Sequence, residues 1–297
     1  MCAVESSVPY DISLKIRYDY ANLVVGGRHL IRLLPLTRPG VQRLVAGHIA
    51  ISPPPDDRSD GLDFFGNHAV SFVIGGAHDH ILLRLTARVE RSAPPGGGRS
   101  LTLPELARAL GAWASVDASA PVHFRAASPR VAATPAMVDY ARSLLANSQT
   151  AADLVAALGR QLHADMRFDP DATEVDTPVA EAFEKRHGVC QDFSHVMIAC
   201  LRGLGIPAGY VSGFLRTSPP PGKARLEGAD AMHAWVRAWC GPAAGWIDYD
   251  PTNATLVGAD HIEVAFGRDY FDVAPIKGAL RGAGSQRSLQ SVDVVPR

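Results

Sequence analysis

The fold of this chain is decided by the segment Gly188-Val189-Cys190-Gln191-Asp192-Phe193-Ser194-His195. From Cys190 to Leu204, apolar residues recur at helical spacing and form one continuous face. We predict a helix that begins at Cys190 and ends before Pro207, since proline cannot continue a helix. Gly188 is predicted to take the left-handed conformation that ends the preceding helix.

Cys190 stands at the predicted start of this helix. Backbone N–H groups in the first turn of a helix have no partner within it, and they lie at the positive end of the helix dipole. Both features favour the thiolate form of a cysteine, and the thiolate is the nucleophile. The alternative is a buried structural cysteine, which is the commonest role of a free cysteine.

The composition is that of an ordinary globular protein. The chain has 297 residues, of which 47% are hydrophobic and 20% charged, so two domains with a hydrophobic core can form. The formal net charge is -1 and no basic stripe is present, which argues against nucleic-acid binding.

The sequence contains no recognisable targeting or membrane segment. Residues 1–10 lack the basic and apolar regions of a signal peptide, and no apolar run has the length of a membrane span. The irregular spacing of the cysteines predicts free thiols in a reducing compartment. The cysteines are Cys2, Cys190, Cys200 and Cys240. We therefore expect a cytoplasmic protein without membrane attachment.

Alternation of apolar and polar residues predicts strands in the first part of the chain. The predicted strands cover residues 12–20, 29–36, 70–74 and 83–89. A loop containing three consecutive prolines, residues 53–55, separates the second from the third. With no convincing amphipathic helix in this region, we predict a β-sandwich over about residues 8–92.

A proline- and glycine-rich linker at residues 92–98 follows the predicted β-sandwich. It divides the chain into an N-terminal β region, residues 1–95, and a second domain, residues 96–297. Three helices of the second domain are predicted from their caps, which are Thr134-Pro135, Thr150 with Asp153, and Thr177-Pro178. Strands are predicted at residues 209–215, 232–239, 246–250 and 261–266. The fold class is therefore α+β, with the Cys190 helix packed on an antiparallel sheet and a mobile loop at 217–230 beside it.

Two metal sites are conceivable and neither is favoured. The acidic loop of Asp169, Asp171, Glu174 and Asp176 lacks the spacing of a calcium loop and is better explained as solvated. A zinc site would need His187, Cys190 and His195, completed by Asp192 or Cys240, but no pair has the tight spacing of a structural zinc site. We predict no metal and no cofactor.

A cysteine nucleophile needs a base and a third group that orients the base. His233 lies on a predicted strand, and Asp248 and Asp250 lie on the next strand after a five-residue turn. If the two strands pair, a carboxylate can hold one imidazole nitrogen and leave the other facing the sulfur of Cys190. The residues alone leave the choice between the two aspartates open.

Three motifs in this order resemble those of the bacterial transglutaminase-like proteins: residues 188–193, His233-Ala234-Trp235-Val236, and residues 245–253. The resemblance is strong over about residues 134–270, and the first 92 residues resemble the β-rich region that precedes this core. It implies a papain-like core with Cys190 as nucleophile, His233 as base and Asp250, directly before Pro-Thr, as the orienting carboxylate. Asp248 is then secondary.

The resemblance also implies acyl transfer or hydrolysis at a peptide or isopeptide amide through a thioester. Hydrolysis by a protease or amidase is favoured over protein cross-linking, and backbone N–H groups at the start of the Cys190 helix would hold the oxyanion. Gln191 and Trp235 are the predicted substrate-binding residues, although packing against the sheet is the commoner role of such a tryptophan. The predicted partner is a peptide or protein amide. The alternative function is a catalytically silent module that binds a peptide or partner protein.

Overall fold

The computed structural model describes residues 7–94, 97–217, 228, 230–282 and 284–297. Fourteen strands are present in this part of the chain: β1 Val8–Ile31, β2 Gln42–Ser52, β3 Asp57–Leu62, β4 His68–Ile74, β5 His78–Arg91, β6 Arg167–Phe168, β7 His187–Gly188, β8 Ala208–Leu215, β9 Ala231–Trp239, β10 Trp246–Asp250, β11 Thr255–Leu256, β12 His261–Gly267, β13 Ile276–Arg281 and β14 Gln286–Pro296. The six α-helices among the described residues are α1 Leu103–Gly111, α2 Pro135–Arg142, α3 Ala151–Asp165, α4 Val179–Lys185, α5 Cys190–Gly203 and α6 Tyr270–Val273. The predicted mixed α+β fold is confirmed.

The N-terminal part is a seven-stranded sheet built around β1. The first half of β1 pairs with β5 and β14, and its second half pairs with β4 and β13. Side chains of the first half alternate between the core and the surface as predicted, with Tyr10, Ile12, Leu14 and Ile16 buried. The β-rich character of this region is therefore confirmed.

Three details of the strand prediction were wrong. Residues 29–36 do not form a separate strand, because β1 continues without a break to Ile31. The predicted loop around residues 53–55 is shorter than expected, since β2 and β3 lie on either side of it. Strand β3 was not predicted. All its residues are exposed and most are polar, so it lacks the apolar alternation that indicates a strand.

The strands β13 and β14 return to the N-terminal sheet. They pair antiparallel with β1, and the β14 register runs without interruption from Tyr10↔Pro296 to Tyr20↔Gln286. The stretch after residue 278, for which no element was predicted, thus pairs with the first region and also contacts β8 and β9 of the second. The domain boundary at residue 95 stays a prediction, and the linker residues 95–96 lie outside the described part of the chain.

The second sheet has the strand order β11-β10-β9-β8-β12, and all its neighbours are antiparallel. The hairpin of β9 and β10 across residues 241–245 and the edge position of β12 are both as predicted. Helix α5 packs on β8 and β9 and is covered on its other sides by α2, α3 and α4. Every residue from Gln191 to Arg202 is buried, so α5 is a central helix and not one with a single apolar face.

The edge strand β12 is covered by side chains from the N-terminal sheet. The Gln42 amide donates to the Glu263 carbonyl at 2.8 Å and accepts from the Glu263 N–H at 2.9 Å. Asn67 makes the same pair of bonds with Phe266, at 2.9 and 2.8 Å. Each amide therefore satisfies one N–H and one C=O of an edge that would otherwise be open to another strand.

Buried ions also join the two sheets. Glu263 on β12 receives hydrogen-bonded ion pairs from Arg91 on β5, at 3.1 Å, and Arg237 on β9, at 2.7 Å. Arg38, which precedes β2, reaches Glu263 at 2.9 Å and Asp248 at 3.1 Å. Three guanidinium groups thus share two carboxylates, which are almost fully buried.

Candidate active site

Cys190 is the first residue of α5, as predicted, and is partly buried. The left-handed residue that ends α4 is Arg186, at φ 55°, and not Gly188 as expected. Gly188 has φ 154°, and a Cβ there would lie 2.5 Å from the Asp192 carboxylate. That carboxylate accepts a hydrogen bond from the Val189 N–H at 2.8 Å and so caps the N-terminus of α5.

Pairing of β9 with β10 brings His233 against Asp250. His233 Nε2 lies 2.7 Å from Asp250 Oδ2, and both side chains are buried. Asp248, the other aspartate left open by the sequence, instead bonds Arg237 at 2.6 and 2.9 Å. The structure therefore places Asp250, and not Asp248, at the imidazole.

Asp250 is held by donors on both oxygens. Oδ1 accepts from the N–H groups of Thr252 and Asn253, at 2.9 and 3.2 Å, and Oδ2 accepts from the Asn253 amide at 2.7 Å as well as facing His233. Burial opposes the charge, but the hydrogen bonds outweigh it and keep the pKa of Asp250 well below its usual range. The carboxylate is therefore ionised at neutral pH.

His233 interacts with Cys190 as well as with Asp250. Burial tends to lower the pKa of His233, but hydrogen bonds to Asp250 and to the Cys190 sulfur raise it to about 10. Because Nε2 is engaged by Asp250, Nδ1 is the nitrogen left for the sulfur. The raised pKa favours the imidazolium form of His233 at neutral pH, between the Asp250 carboxylate and the Cys190 sulfur.

A second histidine at this site was missed by sequence reasoning. His261, the first residue of β12, places Nε2 3.2 Å from the same Asp250 oxygen. The Gly258 N–H donates to His261 Nδ1 at 3.4 Å, so Nε2 carries the ring proton and donates to Asp250. No motif marks His261, because β12 and β10 are not neighbours in the sheet.

The two residues predicted to bind substrate are differently placed. Trp235 is 0% exposed, and its ring packs edge-to-face on His261 at 5.2 Å, so it supports the site from beneath and cannot line a cleft. Its side chain lies in a second buried cluster with Phe124, Val211, Val257 and Phe266, which agrees with packing against the sheet and not with substrate binding. Gln191 is near Cys190, and its amide donates to the Val175 carbonyl at 2.9 Å.

One group of side chains among the described residues could converge on a metal ion, and it is His233, Asp250 and His261. Their nitrogen and oxygen atoms already bond one another. The residues considered for a zinc site, His187, Cys190 and His195, do not form such a group. His195 accepts a hydrogen bond from the Tyr270 N–H at 3.2 Å, and burial lowers the pKa of His195 to about 4. The calcium alternative has no such group either among these residues.

The remaining predictions concern cysteines and the loop near the site. Cys200 and Cys240 are free and buried, as expected of structural cysteines. Cys2 and most of the loop 217–230 lie outside the described residues. No helix of the described chain is long and apolar enough to cross a bilayer.

A cysteine at the start of a central helix, with a histidine and an aspartate on adjoining strands, defines a papain-like class of protein. Residues 138–251 match the transglutaminase-like superfamily, and residues 10–90 match the bacterial transglutaminase-like N-terminal region. The chain therefore belongs to the bacterial transglutaminase-like proteins, a superfamily in which catalysis is typically cysteine-based.

Two relatives are similar to this chain in sequence, and one solved structure is similar to it in fold. The uncharacterized protein Rv2569c of Mycobacterium tuberculosis is 35% identical, covering 97% of this chain and 92% of its own. The uncharacterized protein ML0607 of Mycobacterium leprae is 31% identical over 75% of this chain and 76% of its own. The crystal structure of a "putative cysteine protease" from Cytophaga hutchinsonii superposes with a TM-score of 0.76 at 19% identity, covering 98% of this chain and 91% of its own, and shows the same fold.

Proposed function

We propose that this protein is a cysteine-dependent hydrolase or acyltransferase that acts on a peptide or isopeptide amide through a thioester. The observation that carries the proposal is the placement of His233 between the Cys190 sulfur and the buried Asp250 carboxylate. In this proposal Cys190 is the nucleophile, His233 the proton carrier and Asp250 the group that orients it.

The first half of the reaction forms the thioester. The Cys190 thiolate, stabilised by the His233 imidazolium, attacks the amide carbonyl, and the carbonyl oxygen gains the negative charge. Backbone N–H groups at the start of α5, including that of Cys190, would hold this oxyanion. His233 Nδ1–H then protonates the amide nitrogen, the C–N bond breaks, and an amine leaves.

The second half of the reaction releases the enzyme. Neutral His233 takes a proton from water or an amine, the activated oxygen or nitrogen attacks the thioester carbonyl, and the C–S bond breaks. Asp250 remains an anion throughout and keeps the Nε2–H end of the ring fixed. Water gives hydrolysis and an amine gives transfer, with the same three residues in both cases.

The test is the rate of alkylation of Cys190 by iodoacetamide, measured against pH in a Cys2→Ser background. Since the pKa of His233 is raised to about 10, its positive charge persists from neutral pH up to about pH 10. We therefore expect fast alkylation already at neutral pH. In His233→Ala the rate at neutral pH should fall at least about tenfold and then rise with pH as for an ordinary thiol, with a pKa of about 8.5.

Two features of the experiment make it decisive. Cys200 and Cys240 are buried, so modification in the folded state should be confined to Cys190, and Cys190→Ser should abolish it. Equal rates in the parent and in His233→Ala at every pH would contradict the proposal and leave the binding module as the function. A positive result justifies screening amide substrates with and without an added amine.

A further inference from the structure

A cavity of about 530 Å³ lies between the N-terminal sheet and the segment that contains α6. Its walls come from the end of β1, the β3–β4 turn, α6 and β13, and they include Arg32, Phe64, Phe271 and Lys277. We call it the Arg32 pocket. Cys190, His233 and Asp250 are not among the residues that line it, so it is separate from the proposed catalytic site. Its volume is typical of small-ligand sites.

The positive charge in the Arg32 pocket is only partly neutralised. Asp63 accepts from Arg32 Nε at 2.7 Å, and Asp272 is occupied by the Arg268 guanidinium at 2.8 and 2.9 Å. Lys277 instead lies over the Phe271 ring, with Nζ 3.4 Å from the centroid. Three cationic side chains thus face two carboxylates, and Lys277 is the cation left over.

Arg32 also keeps one donor group without a partner. The side chain is 9% exposed, and its buried Nη1 has no hydrogen-bond partner among the described residues. An unsatisfied buried guanidinium nitrogen costs free energy unless something binds it. Burial, and after it the charge of Arg32, lowers the pKa of Lys277.

Aromatic rings flank these cations. Phe64 and Phe271 are 60% and 48% exposed, and both line the pocket. Large apolar side chains that remain exposed beside unpaired donors suggest a ligand with both an apolar body and a negative charge. Arg and Lys together suit a carboxylate, since the guanidinium offers directed N–H donors and the ammonium a point charge.

We propose that the Arg32 pocket binds a carboxylate joined to an aromatic or large apolar group. The carboxylate would pair with Arg32 Nη1 and the Lys277 ammonium, and the apolar body would lie against Phe64 and Phe271. Such a group can belong to a free acid or to the C-terminal residue of a peptide. Because the pocket is lined by residues of the N-terminal sheet and by α6, which packs on β8 and β12, the ligand would contact the N-terminal region and the core together.

The test measures binding by calorimetry to the Cys190→Ser protein, in which no thioester can form. N-acetylphenylalanine carries both required groups, and N-acetylphenylalaninamide is its uncharged match. We expect the acid to bind at least about tenfold more tightly than the amide. Arg32→Gln and Lys277→Gln should each weaken the acid by about tenfold and leave the amide unchanged. Arg43→Gln, an exposed arginine on β2, is the matched control and should change neither.

Other outcomes are equally informative. Equal binding of acid and amide, no detectable binding of the acid in the millimolar range, or full binding by Lys277→Gln would each overturn the proposal. Arg32 also pairs with Asp63, so Arg32→Gln could lose binding because it misfolds. Lys277→Gln tests the same site without breaking that pair. Comparison with 3-phenylpropionate separates the two sources: tighter binding of N-acetylphenylalanine indicates a peptide C-terminus, and equal binding a free acid.

Discussion

At the scale of single residues, the site depends on how one carboxylate oxygen is shared. Oδ2 of Asp250 faces His233, His261 and the Asn253 amide at 2.7, 3.2 and 2.7 Å. Each donor limits the movement of the carboxylate and supports its charge. His261 therefore acts on the proposed reaction through Asp250, as a positioning residue.

Replacement of His261 tests this role. In His261→Ala, Asp250 loses one donor, so its hold on the His233 imidazolium weakens, and we expect Cys190 alkylation at neutral pH to slow by about tenfold, which corresponds to one hydrogen bond to a charged group. His261→Gln retains an N–H donor and should recover most of the rate. The free energy of unfolding is measured for the same variants. A slower alkylation at unchanged stability indicates a positioning role, whereas a loss of both indicates a destabilised fold.

His48→Ala is the control for this prediction, because His48 is an exposed histidine on β2. If His261→Gln is as slow as His261→Ala at equal stability, the contact of the ring with Trp235 matters and the hydrogen bond to Asp250 does not.

The sequence was informative about residues that lie in local motifs. Cys190 could be placed at a helix start, and His233 and Asp250 on paired strands, because each follows from periodicity and a short turn. The position of His261 at the site depends on which strands meet at the end of a folded sheet. No spacing in the sequence carries that information.

At the scale of secondary-structure elements, close packing of α3 on β10 fixes where the Asp250 strand lies. Gly159 in α3 is buried, and a Cβ at this position would overlap the Tyr249 ring, one residue before Asp250. A glycine within a helix normally costs about 1 kcal/mol relative to alanine. Here the approach of the ring requires glycine.

Gly159→Ala should therefore destabilise the protein, by about 1–3 kcal/mol, because overpacking outweighs the gain in helix propensity. The measurement is the free energy of unfolding in urea. Gly111→Ala, at the end of α1, is the matched control: a Cβ at that residue would have nothing within 4 Å of it, so stability should be unchanged or higher. An equal effect of the two substitutions would mean that α3 shifts freely and does not fix β10.

At the scale of the whole molecule, the two sheets are joined by amide pairs and by the buried ions around Glu263. The ion pairs stabilise only as a complete set, since a buried charge without its partner is costly. The sequence could not reveal this set, because its members come from five separate segments of the chain. Only the class of fold and the order of the two regions were readable from local patterns and resemblance.

Glu263→Ala leaves three arginines around a single buried carboxylate, Asp248, and should cost about 3–5 kcal/mol of unfolding free energy. Chemical denaturation measures this loss directly. Glu90→Ala removes an exposed carboxylate that pairs with Arg43 at 2.6 Å and should cost about 1 kcal/mol or less. Similar losses in the two variants would show that the buried ions do not hold the sheets together.

The pairing of β1 with β14 has a consequence for how the protein is made. The ribosome releases β1 first, but the strand that completes one of its edges, β14, emerges only after nearly all of the intervening chain has been synthesised. During that interval the exposed edge of β1 is open to pairing with other nascent chains. Completion of the N-terminal sheet is therefore a late step of biosynthesis, and the first region, although translated first, reaches its final form only after the core has emerged.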